Sequence, residues 1–431
     1  MTRILLISYY WPPAGGGGVQ RWLKMSKYIA DMPDVELLVY TPENGEVPVV
    51  DESLISEVDA RIKVIKTPIW EPYSWYKRFT GRKKNEKVYS GFISDKKESW
   101  MQKLAVFIRG NLFIPDARMF WIKPSVKFLS AYLKDHPVDV VISTGPPHSM
   151  HRIALGLKKR LNIRWIADFR DPWTNIDFYH QLRLTRWGDR RHHRMEAEVL
   201  QHADRIVTVS PSWAKDFKRL CGRDDIEVIN NGYDPADLKG DAVPPEHTFT
   251  ICHIGSMNKD RNVPGLWKAL AELKEEGNMD TFRIKLVGQV DHAVLLAIQT
   301  AGLSEHLDHI HFKSHADVMD DLLSASILLL PVNDTPNSAG VVPGKLYEYM
   351  GAQRPILVIG PPTGDSATIV IKSDAGAVHG YDDVTGIKNS LLVWQKSHRQ
   401  GTLKQSSSGV EQYSRKALAE KYLALIDRMI P

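Results

Sequence analysis

Residues 3–32, RILLISYYWPPAGGGGVQRWLKMSKYIADM, decide how the chain is read. RILLI is a short apolar run with the length of a buried β-strand. Four glycines follow at 15–18, and VQRWLKMSKYIADM then shows a helical pattern. Glycine is entropically costly, so a run of it is kept where the backbone takes unusual dihedrals or a ligand comes close. The run does not fit a dinucleotide fingerprint. Starting from Gly15 or Gly16, the third glycine position falls on Gln20 or Arg21, and the second strand ends in Tyr40-Thr41 in place of an acid. No GK[ST] follows, which excludes a Walker A loop. What remains is a flexible loop feeding a helix N-terminus. It is either a plain connection or an anion site built from exposed N–H groups and the helix dipole.

The alternation continues outward. Strands are predicted in VELLVYT, RIKVIKT, VDVVISTG, IRWIADF, DRIVTVS and IEVINNG, with helices in HSMHRIALGLKKRL and RRHHRMEAEVLQHA. The pattern lapses at 234–248, DPADLKGDAVPPEHT, which reads as a linker. It restarts with FTICHIG, FRIKLVG, IHFKS, ILLLPV and PILVIG, separated by helices. Short apolar strands alternating with helices predict an α/β protein with two Rossmann-like parallel sheets. The predicted domains are 1–236 and 249–405, followed by a C-terminal helix within 406–431. Ligands of open parallel sheets bind beyond the carboxyl ends of the strands, so the chemistry should follow strands.

The chain has 431 residues, 43% hydrophobic and 25% charged, which suits two ordinary globular domains. Cys221 and Cys252 stand apart with no CxxC or His-Cys cluster, arguing against a zinc site and a disulfide scaffold. The N-terminal apolar run is too short for a signal peptide, and no run approaches a membrane span. A cytoplasmic location is therefore expected. The net charge of +5 is modest and no nucleic-acid motif is present, so nucleic acid is not an expected partner. Charge is concentrated, however: between Arg61 and Lys123 there are 15 Lys and Arg against 5 Asp and Glu. Trp70, Trp75, Trp100, Phe107 and Trp121 are interleaved there. The insertion at 70–125 is either a solvated surface or a peripheral contact with an anionic membrane. WMQKLAVFIRGNLF, 100–113, is read as an amphipathic helix with Met101, Leu104 and Phe107 on one face and Lys103 and Arg109 at its rim.

Four strand ends carry candidate chemistry. VISTGPPHSMH presents His148 at the start of a helix. IRWIADFRDPW ends in Asp168, Arg170 and Asp171 with Trp173 beyond. These form either a salt-bridged turn or an acceptor-binding arrangement, with sugar hydroxyls on the acid and the sugar face on the ring. CHIGSMNKDRN places Ser256, Lys259 and Arg261 ahead of a helix, where cations oppose the dipole unless an anion lies between. NSAGVVPGKLYEYMGAQRPIL repeats this with Lys345, and Glu348 follows one turn on. The pair is either an i,i+3 ion pair worth about 0.2–0.5 kcal/mol or a phosphate-binding lysine beside a ribose-binding carboxylate.

YYWPPAGGGGVQR, GSMNKDRN and GKLYEYMGAQRPIL together resemble glycosyltransferase family 4, most specifically over residues 345–357. The resemblance implies a GT-B architecture, two Rossmann-like domains facing across a cleft with the C-terminal helix crossing back to the first. It implies a metal-independent, retaining hexosyltransferase that uses a UDP- or GDP-linked sugar as substrate, with no cofactor. The expected acceptor is a saccharide or lipid-linked saccharide of bacterial cell-surface polysaccharide synthesis, reached from the inner face of the plasma membrane. By position, Glu348 would hold the donor ribose, while Arg261 and Lys345 would hold the diphosphate. Gly17 and Gly18 would lie under the diphosphate and sugar, with His148 near the transferred sugar. The first of two glutamates common in the family falls at Gly340, so Gly340 and Val341 would meet the donor sugar through backbone. Ser256 stands where the family often has arginine. A nucleotide-sugar epimerase of the same architecture is the alternative.

Overall fold

The computed structural model describes residues 1–72, 100–238, 243–245, 247–279, 281–311, 313, 315–403 and 407–430. Two compact units are present: Met1–Asn230 with Arg415–Pro431, and Asn231–Ser414.

The first unit carries seven parallel strands: β1 (Thr2–Ile7), β2 (Val35–Pro42), β3 (Lys63–Thr67), β4 (Val140–Gly145), β5 (Arg164–Phe169), β6 (Arg205–Thr208) and β7 (Ile226–Val228). Their order is β3-β2-β1-β4-β5-β6-β7. Side chains alternate across a sheet covered on both faces. Ile4 and Leu6 of β1 join a core with Trp22, Met25 and Ile29, while Leu5 and Ile7 join one with Leu129, Ile153 and Trp165. This double burial explains the unbroken apolar runs of the sequence. The C-terminal helix Arg415–Asp427 belongs to this unit, with Leu418, Tyr422 and Ile426 in the core that contains Trp22.

The second unit carries β8 (Phe249–Ile254), β9 (Phe282–Val287), β10 (Leu307–Ile310), β11 (Ile327–Pro331), β12 (Ile356–Ile359) and β13 (Gly376–His379). All are parallel, in the order β10-β9-β8-β11-β12-β13. Strand β13, GAVH, has no apolar run and is half-buried at the sheet edge, so periodicity did not announce it. β10 begins three residues before the predicted IHFKS and shares only Ile310 with it, in register with Ile284–Val287.

In both units the strand order reverses direction once, between β1 and β4 and between β8 and β11. Those switch points leave a crevice beyond the strand ends, where α/β sheets take ligands.

Candidate functional site

The predicted residues lie at or beyond the carboxyl ends of β1, β4, β5, β8 and β11. After β1, the backbone turns at Gly16 (φ 82°) into the helix Gly17–Ala30. A side chain at Gly17 would meet no atom within 4 Å, so this helix start is open. Gly18 lies against the Tyr10 ring, and its carbonyl accepts from the Arg170 guanidinium. A second Arg170 nitrogen donates to the Pro146 carbonyl, so this arginine ties the loop after β1 to the loop after β4. Arg170 thus braces the turn, with both bonds made to main chain.

His148 opens the helix Ser149–Leu161 after β4. Its ring stacks on Trp173 at 4.9 Å and 3° between planes, and Nδ1 has no hydrogen-bond partner. Burial, with smaller contributions from His151, Arg170 and His192, holds its pKa well below the ordinary histidine value, so the ring is neutral at pH 7.

Two acceptor expectations need correction. Asp168 is fully buried, and its oxygens accept from Tyr422 Oη (2.7 Å), Trp22 Nε1 (2.8 Å), Thr144 Oγ1 (2.8 Å) and Arg21 Nη2 (3.1 Å). Burial opposes its ionisation, yet the Arg21 charge and these donors hold the carboxyl below its ordinary range. It is the centre of a structural ion pair and offers no oxygen to a sugar. Trp173 is 3% exposed, with its face taken by His148 and its Nε1 donating to His192, so it is no open platform. The partners of Asp168 come from distant chain segments, which no local reading could supply.

In the second unit, β8 runs into Gly255 (φ 130°) and the exposed Ser256, and Arg261 ends the turn Lys259–Arg261. Arg261 donates to the Ser256 carbonyl at 2.9 Å and to Asn333 Oδ1 at 2.5 Å, bridging the ends of β8 and β11. Beyond β11, the turn Ser338–Gly340 is closed on itself. Gly340 and Val341 N–H donate to Asn337 and Ser338 carbonyls, and the Val341 carbonyl accepts from Ser366. Main-chain contact of Gly340 and Val341 with a sugar would therefore require this turn to rearrange.

Lys345 and Glu348 lie on the short helix Lys345–Gly351, and pair at 2.7 Å. Tyr349 Oη, on the same helix, accepts from Ile254 N at 2.9 Å, pinning it to the end of β8. Burial lowers the His253 pKa to about 4, and the charges of both Arg261 and Lys345 push it the same way. The two cations, remote in sequence, thus stand at the ends of the same pair of strands. His253, Asn333 and Tyr349 escaped the sequence reading; a histidine inside the apolar strand FTICHI was the available signal.

Of the basic and aromatic insertion, residues 73–99 lie outside the described residues, including Arg82, Lys83 and Lys84. Trp121 is core, 1% exposed and stacked on Tyr40, which removes it from the proposed membrane face. The helix Trp100–Asn111 docks through its C-terminal end: Asn111 bonds the Arg183 carbonyl and the Gly110 carbonyl meets His192. Leu104 is half-buried, and Lys103 and Arg109 are exposed. Trp70, Trp100, Phe107, Leu112 and Phe120 are also exposed. Among the described residues, no helix is long and apolar enough to cross a membrane, and no three His, Cys, Asp or Glu gather as metal ligands would.

Residues 93–237 match the model of Glycosyltransferase Family 4. No curated protein matches by sequence. The fold is similar to sucrose-phosphate synthase from Thermosynechococcus elongatus, with TM-score 0.65, 13% identity and coverage of 100% of this chain and 99% of that one. It is also similar to Anabaena HepE in complex with UDP-glucose (TM-score 0.61, 11% identity, 99% and 100% covered). A Listeria monocytogenes protein described as a putative UDP-N-acetylglucosamine 2-epimerase shares it as well (TM-score 0.54, 12% identity, 99% and 95% covered). The family match agrees with the resemblance over residues 93–237, about a third of the chain and outside the three motifs, and the fold is GT-B.

Proposed function

We propose that this chain, a GT-B protein whose residues 93–237 match glycosyltransferase family 4, moves a sugar from a UDP- or GDP-linked donor to a saccharide or lipid-linked acceptor, with retention of configuration. The observation that carries the reading is that Arg261 bridges the ends of β8 and β11 while the helix bearing Lys345 is pinned through Tyr349 to the end of β8, so both cations stand at the β8/β11 switch point. A departing nucleoside diphosphate gains negative charge, and fixed cations already in place stabilise it without reorganising. Glu348, one turn beyond Lys345, would leave its lysine to accept ribose hydroxyls when the phosphates arrive.

His148 is neutral and buried, so it would act near the transferred sugar as a hydrogen-bonding group and would not add charge there. The exposed aromatics at 70, 100, 107 and 120, in a region of net +10 by sequence, support peripheral attachment to an anionic membrane in polysaccharide synthesis.

The experiment is nucleoside diphosphate release from a panel of UDP- and GDP-sugars with saccharide acceptors, run with and without EDTA. Release that needs acceptor, survives chelation and yields a product with the donor's anomeric configuration is expected. Dependence on Mg²⁺ or Mn²⁺ would refute charge supply by Arg261 and Lys345 alone. Conversion of the donor sugar at its own carbons without acceptor would identify the epimerase alternative, which shares the fold.

A further inference from the structure

The first unit holds a cavity of about 440 Å³ that the donor reading does not use. It lies between the helices Ser149–Leu161 and Arg186–His202, and its lining includes Arg152, Trp187, Arg190, Arg191, Arg194 and Glu198. Glu198 is its only acid, and that charge is already spent. Arg152 and Lys159 each contact it at 2.5 Å. Burial would raise its pKa, but these two cations hold it down at about 2.

Arg190 and Arg194 have no hydrogen-bond or ion-pair partner among the described residues, and Arg191 rests only on the Trp187 ring, at 5.1 Å. They repel one another, because positions three and four apart share a helix face. The nearby acid Asp189 is engaged elsewhere, accepting from Tyr179 Oη. Trp187 is 56% exposed although Arg191 lies over its ring, a large aromatic surface beside guanidinium groups. Forked guanidinium donors match phosphate oxygens in pairs, and an aromatic face beside them matches the apolar face of a sugar.

The cavity is coupled to the strand ends of its own unit. Arg152 lies one turn after His148, about 6 Å along the helix axis, and its N–H donates to the His148 carbonyl. His192, next to Arg191, accepts from Trp173, on which His148 stacks.

We propose that this cavity binds the phosphate or diphosphate of a glycosyl acceptor, with Arg190, Arg191 and Arg194 on the phosphate and Trp187 on the attached sugar. This rests on the glycosyltransfer reading and names its acceptor class as a phosphate-bearing one, whether lipid-linked or a soluble sugar phosphate.

The test is calorimetry of inorganic pyrophosphate against the full chain with UDP present in excess, so that the donor phosphates' site is filled. Wild type should bind, and Arg190→Glu/Arg194→Glu should weaken pyrophosphate at least tenfold with UDP affinity and melting temperature unchanged. Arg190→Gln/Arg194→Gln gives the same loss without charge reversal. Trp187→Ala should weaken glucose 1-phosphate more than pyrophosphate. Retention on phosphatidylcholine vesicles carrying a polyprenyl diphosphate, lost in the arginine variant, assigns a lipid source; displacement of pyrophosphate by glucose 1-phosphate assigns a soluble one. Pyrophosphate affinity within twofold of wild type in the arginine variants overturns the proposal. Failure of UDP to bind wild type would instead strike the donor reading and leave the arginine comparison valid.

Discussion

Asp168 shows how a single residue can be misread. Its position at the end of an apolar strand suggested a ligand-facing acid, but its charge is answered from within by Arg21, which is 1% exposed itself. Arg21 belongs to the helix after the glycine loop and Tyr422 to the C-terminal helix, so the fold brings together groups 147 and 254 positions from Asp168. Its place at a strand end was legible; which way the charge faces was not, because non-local partners decide it. Asp168→Asn should leave Arg21 buried without its counter-charge and cost about 3–5 kcal/mol. Urea unfolding followed by fluorescence measures this. A loss under 1 kcal/mol would mean that the pair carries little of the first unit's stability.

At the scale of elements, strands with continuous apolar runs were readable, and those without were not. β11, ILLLP, is fully buried and was plain in the sequence, whereas β13 was missed because its half-buried edge position needs no apolar run. The loop after β8 depends on a contact that sequence shows only as two scattered glycines. Gly288 (φ 131°) passes so close to Gly255 that an added Cβ would sit 2.4 Å from the Gly255 carbonyl oxygen. Gly288→Ala should therefore cost about 2–3 kcal/mol and displace the loop leading to Ser256 and Arg261. The expected readout is a lowered unfolding midpoint with weaker nucleotide binding in the fraction that stays folded. A variant as stable as wild type would contradict the close approach.

For the whole molecule, both units bury neutral histidine. Burial, against the Asp168 charge, takes His151 of the first unit down to about 3, and His253 of the second goes to about 4. The unfolded chain protonates these rings near pH 6.5, before the folded chain does. Their contribution is thus intact above about pH 6.5 and is lost as pH falls toward the folded values. Each ring should cost about 2 kcal/mol at pH 5 relative to pH 7.5, since one pKa unit is about 1.4 kcal/mol. Urea midpoints at the two pH values test this, and His253→Gln should flatten the dependence of the second unit. Equal stability at both pH values would show that these rings protonate in the folded protein as they do in the unfolded chain.

The central claim is that Arg261 and Lys345 hold the donor diphosphate at the β8/β11 switch point. Calorimetric titration of UDP-glucose and GDP-mannose into wild type, Arg261→Ala and Lys345→Ala tests it most directly. Wild type should bind one of the two nucleotide sugars, and each variant should weaken that binding tenfold or more while melting within a few degrees of wild type. Affinity unchanged in both variants would contradict the account.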